Sequence, residues 1–539
     1  MKLRSFWHSL RFGAVLSAAL TISSSAQTQS VQPAISLDPS TVLQSQSASL
    51  NPVKGEASFA NAPANFYAFR SAQMGEPSSV EEIRLRFATA TTLASISSTK
   101  DFPIEDGGSC VKGRSYAKGD TCIVLVRFTP QGAGRRLGTL TVSHAGSAEP
   151  DAFGLGGYGY SPIISFTPAV IGTVPGTYPS NEGLLTSAQN LTEAGDVLYV
   201  ADTGNNLIRQ IDSTGTIVSR TPAAAPASLA VDNFGFIYVL GVSGSYAYFS
   251  YYQPNGGYTY YFGNYMPSTC TYSAPCDLGN VGMGNPAEIN IDRNNNVFLE
   301  EETQGAMEIP VSVVSGNGAL PTLDAWYLND AYAYISSPPS TFAVDGNDYL
   351  YNSYNYSSTV CYIVQEPLYI AEGTTPNYTR IVGASRCGYA GDGGQATNAE
   401  IGAKIGQIAF DVAGNMYFSD SANQRVRRID YVTGTITTIA GNGTAGYTGD
   451  GNQATTAELS SPTGVAVDSQ GQVYIISGAA ATGTAQVVRK LGPNGFLAFG
   501  TQTQGVATAA HIVSVSNTGN STMTLTKEVI TGNNPADFT

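Results

Sequence analysis

From about residue 65 to residue 500 the apolar positions fall in short runs, many alternating with polar ones and bounded by Gly, Asn, Asp or Pro. This is the pattern of many short strands joined by tight turns. One unit recurs within it: an apolar residue and a carboxylate, followed six positions later by an aromatic that ends a strand. The copies are LAVDNFGFIYV (Asp232, Tyr238), INIDRNNNVFL (Asp292, Phe298), FAVDGNDYLY (Asp345, Tyr351), AFDVAGNMYF (Asp411, Tyr417) and VAVDSQGQVYI (Asp468, Tyr474). A weaker copy, LTEAGDVLYV, keeps the offset with Glu193 and Tyr199. Each predicts a hairpin, and third and fourth strands follow, as in RVRRIDYV and TITTIAG. Four strands per unit, repeated at roughly 40 to 65 residues, describe the blade of a β-propeller. Six blades are expected between about Tyr160 and Gly500.

The segments YVADTGNNLIRQID (199–212) and YFSDSANQRVRRID (417–430) resemble the core motif of NHL repeats. AGNGTAGYTGDGNQATTAELSSPTGVAVD (440–468) and GASRCGYAGDGGQATNAEIG (383–402) resemble the linkers of secreted bacterial NHL propellers. The likeness is strong in the first, fifth and sixth units and degenerate in the other three. It implies a six-bladed ring, generally a binding platform, with some enzymatic relatives. Matched residue by residue, Asp202 aligns with Asp420, Asn205 with Asn423, Arg209 with Arg427 and Asp212 with Asp430. Asp and Asn suit such turns because their side chains bond the local backbone. A structural role is expected for all of them.

Lys2, Arg4 and Arg11, the apolar run from Phe12 to Ile22 and the small residues Ser24-Ser25-Ala26 form an export signal, with cleavage expected after Ala26. Residues 27–64 are a Ser/Pro/Gln-rich leader. Residues 65–159 alternate as a β-sandwich does. Their run from DFPIEDGGSC through GDTCIVLVRFTP to RRLGTLTVSH resembles Ig-like domains of the choice-of-anchor D and Hydin type. Residues 160–500 are assigned to the propeller. Residues 501–539 resemble the start of a second Ig-like domain, either truncated or completed by a partner. The expected fold class is therefore all-β: a six-bladed NHL-type propeller preceded by an Ig-like sandwich and followed by the start of another.

Composition supports this and narrows the chemistry. Only 12% of the 539 residues are charged, while 59 are Gly, 27 Pro and 31 Tyr. Six Cys in an exported chain fall as the local pairs Cys110/Cys122, Cys270/Cys276 and Cys361/Cys387, for which disulfides are the simplest assignment. Residues 160–500 hold 11 basic and 27 acidic residues, a balance that opposes nucleic-acid binding. That span contains no His, which removes His-ligated zinc and any Ser-His-Asp triad within the ring.

Oxygen-ligand chemistry survives. No cofactor is required; calcium is the candidate, with Glu300, Glu302 and Asp292 as candidate ligands, although a solvated turn or strand end is the favoured explanation of them. Asp392 and Asp450, in the duplicated GYxGDG loops, form a second candidate pair that also suits turn-shaping. The aromatic run holding Tyr246, Tyr248, Tyr258 and Tyr260 is either blade packing or a glycan or protein surface. The expected function is a secreted, non-catalytic binding or adhesion scaffold for a polysaccharide or protein. A calcium-dependent propeller hydrolase or lactonase, and a structural segment of a larger surface protein, are the alternatives.

Overall fold

The computed structural model describes residues 34–41 and 64–526, the latter except for stretches of which 263–275, 278–285, 310–323, 329–340, 368–377 and 496–512 are the longest. The expected export signal lies outside the described residues, as do 527–539. Among the described residues, no helix is long and apolar enough to cross a membrane.

Two sheets come first. One orders Ile35–Leu37, Val80–Phe87, Thr121–Arg127 and Ile104–Glu105. The other is built on Phe66–Ala68, Asp151–Tyr160, Gly134–His144, Thr91–Ser98 and Ser115–Tyr116, with Ala72–Gln73 beside Asp151–Tyr160. Along Thr121–Arg127 buried residues alternate with more exposed ones, so Cys122, Val124 and Val126 face inward. They join Leu85, Leu140, Phe153 and Leu155 in one core, with Phe102 stacked on Phe128. This is a sandwich, and the leader contributes Ile35–Leu37 to its edge, antiparallel to Leu85–Phe87.

Six further sheets of four or five strands follow among the described residues. Their innermost strands are Asn190–Ala194, Pro226–Val231, Pro286–Ile291, Phe342–Val344, Ile408–Phe410 and Gly464–Val467, and each sheet runs outward antiparallel. Second strands such as Met416–Asp420 and Val473–Gly478 are buried at every position. Neighbouring blades cover both faces of each sheet, which is why these strands carry no polar alternation. The ring closes where Ala169–Thr173 pairs antiparallel with Ala485–Gly495 of the sixth blade. The chain is an all-β propeller of six blades.

Two of the expected disulfides, Cys110–Cys122 and Cys361–Cys387, are formed. The third expected pair, Cys270 with Cys276, lies outside the described side chains. The backbone of Cys276 lies in the short strand Cys276–Asp277, opposite Ala325. Its side chain and the whole of Cys270 fall outside the described residues, so that pairing stays an expectation from sequence. Ser514–Asn517 pairs with Ile164–Thr167, the segment that leads into the ring.

Candidate functional site

The repeated carboxylate has a specific local task. At Asp232, Asp345, Asp411 and Asp468 one oxygen accepts the backbone N–H groups two and four residues on. The other oxygen accepts the hydroxyl of the tyrosine six residues on, at 3.1, 3.0, 2.9 and 3.0 Å. The acid thus holds the turn between the first and second strands, and the tyrosine ties that turn to the blade interior. In the third blade Phe298 has no hydroxyl, and Asp292 keeps the bond from the side chain four residues on, Asn296 Nδ2 at 2.9 Å, which Asn415 and Gln472 also make to their acids. Burial raises the aspartates' pKa values, with Asp232 pushed up to about 6.

The first blade departs from this. Ala194 pairs with Val197, so its turn has only two residues, Gly195 and Asp196, both left-handed at φ 64° and 65°. Glu193 consequently sits inside the ladder opposite Leu198, not at the turn position of the other acids. Its Oε1 accepts Asp196 N–H at 2.6 Å. Burial, then the nearby Asp468 and Asp196, push its carboxyl up to about 8.

A second ring lies at the opposite ends of the inner strands, four residues before the turn acid at Ser228, Glu288 and Gln407 and three before Glu193 at Asn190. Asn190 Oδ1 accepts Leu229 N–H, Ser228 Oγ accepts Ile289 N–H and Glu288 Oε2 accepts Phe342 N–H, each on the next blade. Gln407 Oε1 accepts Val465 N–H in the same way. Gly464 has no side chain to continue the series, and a Cβ there would come within 2.4 Å of Leu191. Gln407 reaches past it, accepting Leu191 N–H and donating to Leu191 C=O. Asn190 donates across the ring to Glu288, whose burial pushes its carboxyl up to about 7. These side chains satisfy the edge amides that inner strands would otherwise leave bare, and they brace the tunnel at that end.

Between the two rings lies a cavity of about 530 Å³. The sandwich covers its turn end: Ala133, Gly134, Arg135 and Tyr158 line it together with the inner strands and turn acids. The cover is clamped in place. Arg136, 3% exposed, donates to Asp101 of the sandwich, to Asp196 of the first blade and to Ser469 of the sixth. Arg135 donates through Nη1 to Val231 C=O and Asn233 Oδ1 of the second blade, at 2.9 and 3.1 Å. Phe66 meets Phe234 edge-on with ring centres 5.0 Å apart.

The residues singled out from sequence fall as follows. Asn205 Nδ2 bonds both oxygens of Asp202, whose carboxylate also pairs with Arg209; Asn423 does the same at Asp420. Asp212 and Asp430 accept turn amides at Thr214 and Thr216, and at Val432 and Thr433. Asp392 pairs at 2.7 Å with Arg427 and Asp450 at 2.7 Å with Arg489, both arginines fully buried. The two loop acids serve separate blades and do not converge. Bonds from Thr438 N–H, Arg427 and Tyr389 hold Asp392 below the usual carboxylate range.

Asp292, a candidate calcium ligand, has its oxygens directed to Asn296 N–H and Nδ2. Among the described residues, no three His, Cys, Asp or Glu side chains gather as a metal site. The side chain of Glu300 and all of Glu302 lie outside them. Tyr248, a candidate surface residue, is instead buried, its ring packed over Gly241. The side chains of Tyr246, Tyr258 and Tyr260 lie outside the described set. Sequence reasoning missed Arg135, Arg136, Asn190, Glu288 and Gln407. For Gln407 the available signal was a polar residue directly before an apolar inner strand, and for Glu288 a carboxylate within one.

No protein-family model and no curated protein matches the chain. Solved structures do resemble it. An auxiliary nutrient binding protein from Bacteroides thetaiotaomicron aligns at 14% identity over 78% of this chain and 97% of its own, with a TM-score of 0.42. A protein of unknown function from the same organism aligns at 12% identity over 78% and 95%, with a TM-score of 0.44. A gluconolactonase from Xanthomonas campestris aligns at 12% identity over 62% and 98%, with a TM-score of 0.36. The likeness is one of fold.

Proposed function

We propose that the chain is an exported, non-catalytic binding scaffold whose propeller presents a ligand surface to a polysaccharide or protein outside the cell. The observation that carries this reading is the state of the turn acids around the cavity. At Asp232, Asp345, Asp411 and Asp468, both carboxylate oxygens are occupied by turn amides and a tyrosine hydroxyl. A general base or metal ligand needs lone pairs free to meet the reacting group. Asp411 and Asp468 accept four bonds each from the fold, and Asp232 and Asp345 at least three, which supports a rigid, shaped ring suited to recognition. Two formed disulfides fit an oxidising compartment outside the cytosol.

Incubation of the chain from Gln27 onward with insoluble cellulose, xylan and chitin tests this. Depletion of protein from the supernatant without release of soluble sugar is the expected result. Steady release of product, or turnover of lactone or ester substrates that a calcium chelator abolishes, would overturn it in favour of a hydrolase.

A further inference from the structure

We propose that the tunnel cavity, covered at its turn end by the sandwich, is a binding site for a neutral saccharide unit, anchored by Arg135 and Tyr431. This rests on the scaffold reading and gives it a place and a ligand class.

At about 530 Å³ the cavity has the size of a small-molecule site, which typically spans roughly 300–1,000 Å³. Arg135 lines it with hydrogen-bonding capacity in hand. Nη1 serves Val231 and Asn233, while Nε and Nη2 have no acceptor among the described residues. A half-buried guanidinium edge calls for paired oxygens, from a carboxylate, a phosphate or neighbouring hydroxyls.

The surrounding charge selects among these. Asp292, Asp345, Asp411 and Asp468 line the same cavity against this one arginine. An anionic ligand would meet a strongly unfavourable field. Hydroxyl groups would not, because they carry no charge and can accept from the guanidinium. The amides of Asn290 and Asn347, also in the wall, offer both donors and acceptors.

The mouth supplies an aromatic face. Tyr431 lines the cavity yet is 63% exposed. One side of its ring rests on Gly414, where a Cβ would come within 3.3 Å of the ring. Asn415 Oδ1 accepts the Tyr431 backbone N–H at 2.9 Å and fixes its position. The ring is therefore held with one side toward water, the arrangement on which the C–H face of a sugar stacks.

Saturation-transfer NMR with cellobiose, maltose, N-acetylglucosamine and glucuronate tests the site, comparing the wild-type chain with Tyr431→Ala and Arg135→Gln. At least one neutral sugar is expected to bind, with affinity falling about tenfold or more in both variants, and glucuronate is expected to give no signal. Neutral-sugar binding unchanged in both variants would overturn this site while leaving the scaffold reading intact. Absence of neutral-sugar binding at about 10 mM, or preference for glucuronate, would overturn the ligand class. In either case the polysaccharide depletion experiment judges the scaffold reading separately. Should Arg135→Gln fail to fold by circular dichroism, Tyr431→Ala decides alone, since its side chain is largely in solvent.

Discussion

At the scale of single residues, the repeat that first marks this sequence is a hydrogen-bonding device. Asp411 accepts from Ala413 N–H, Asn415 N–H, Asn415 Nδ2 and Tyr417 Oη, so Asp411→Ala leaves several buried donors unpaired. The expected cost is about 2–4 kcal/mol in urea unfolding. Tyr417→Phe removes one bond and is expected to cost about 1 kcal/mol, as Phe298 already shows the ring to be tolerated. A cost below about 0.5 kcal/mol for Asp411→Ala would show that the turn does not depend on its acid. This device was legible in the sequence because identical residue types recur at a fixed offset. The first blade was misaligned by the same logic: Glu193 and Tyr199 keep the offset, but the two-residue turn at Gly195-Asp196 moves the acid into the ladder.

The buried acids also set a pH dependence. Glu193, Glu288 and Asp232 have folded pKa values pushed up to about 8, 7 and 6. Between their ordinary carboxylate range and those values the folded chain holds more protons than the unfolded one, so stability falls as pH rises. Asp196, Asp392 and Asp430 are held below the ordinary range, and their contribution is lost as pH falls through it. Thermal midpoints are therefore expected to peak at about pH 4–5 and to decline toward pH 8. Glu193→Gln, which keeps an acceptor for Asp196 N–H, should flatten the decline. An unchanged decline in that variant would locate the effect elsewhere.

At the scale of elements, the blade is the unit, and what joins blades was hidden from sequence. Asn190, Ser228, Glu288 and Gln407 share no side-chain chemistry beyond an oxygen that reaches the next blade's edge amide. No pattern of residue type could reveal a function defined by a neighbour's backbone. Gln407 carries the most, since it serves Val465 and also spans to Leu191 past Gly464. Gln407→Leu is expected to destabilise the ring by about 2–3 kcal/mol, read as a lower urea midpoint. An unchanged midpoint would mean that water replaces the side chain without loss.

For the whole molecule, the sandwich is a lid as well as a neighbour. Its attachment was not foreseeable, because Arg136 lies 333 positions from Ser469 and no local pattern links them. Breaking the clamp with Arg136→Ala leaves Asp101 and Asp196 without their shared cation. It should speed proteolysis between the sandwich and the ring well beyond the rate in the parent chain. Equal rates would show that the aromatic contact of Phe66 with Phe234 suffices to hold the lid.

Acids around the tunnel that are spent on holding the fold leave no ligand set for a metal ion. Calorimetric titration of calcium into chelator-treated protein tests it most directly, with melting followed in parallel. The expected result is no tight one-to-one binding and no rise in the melting temperature. Stoichiometric binding that raises the melting temperature, and that is lost in Glu300→Ala or Glu302→Ala, would contradict it and place a calcium-dependent hydrolase first.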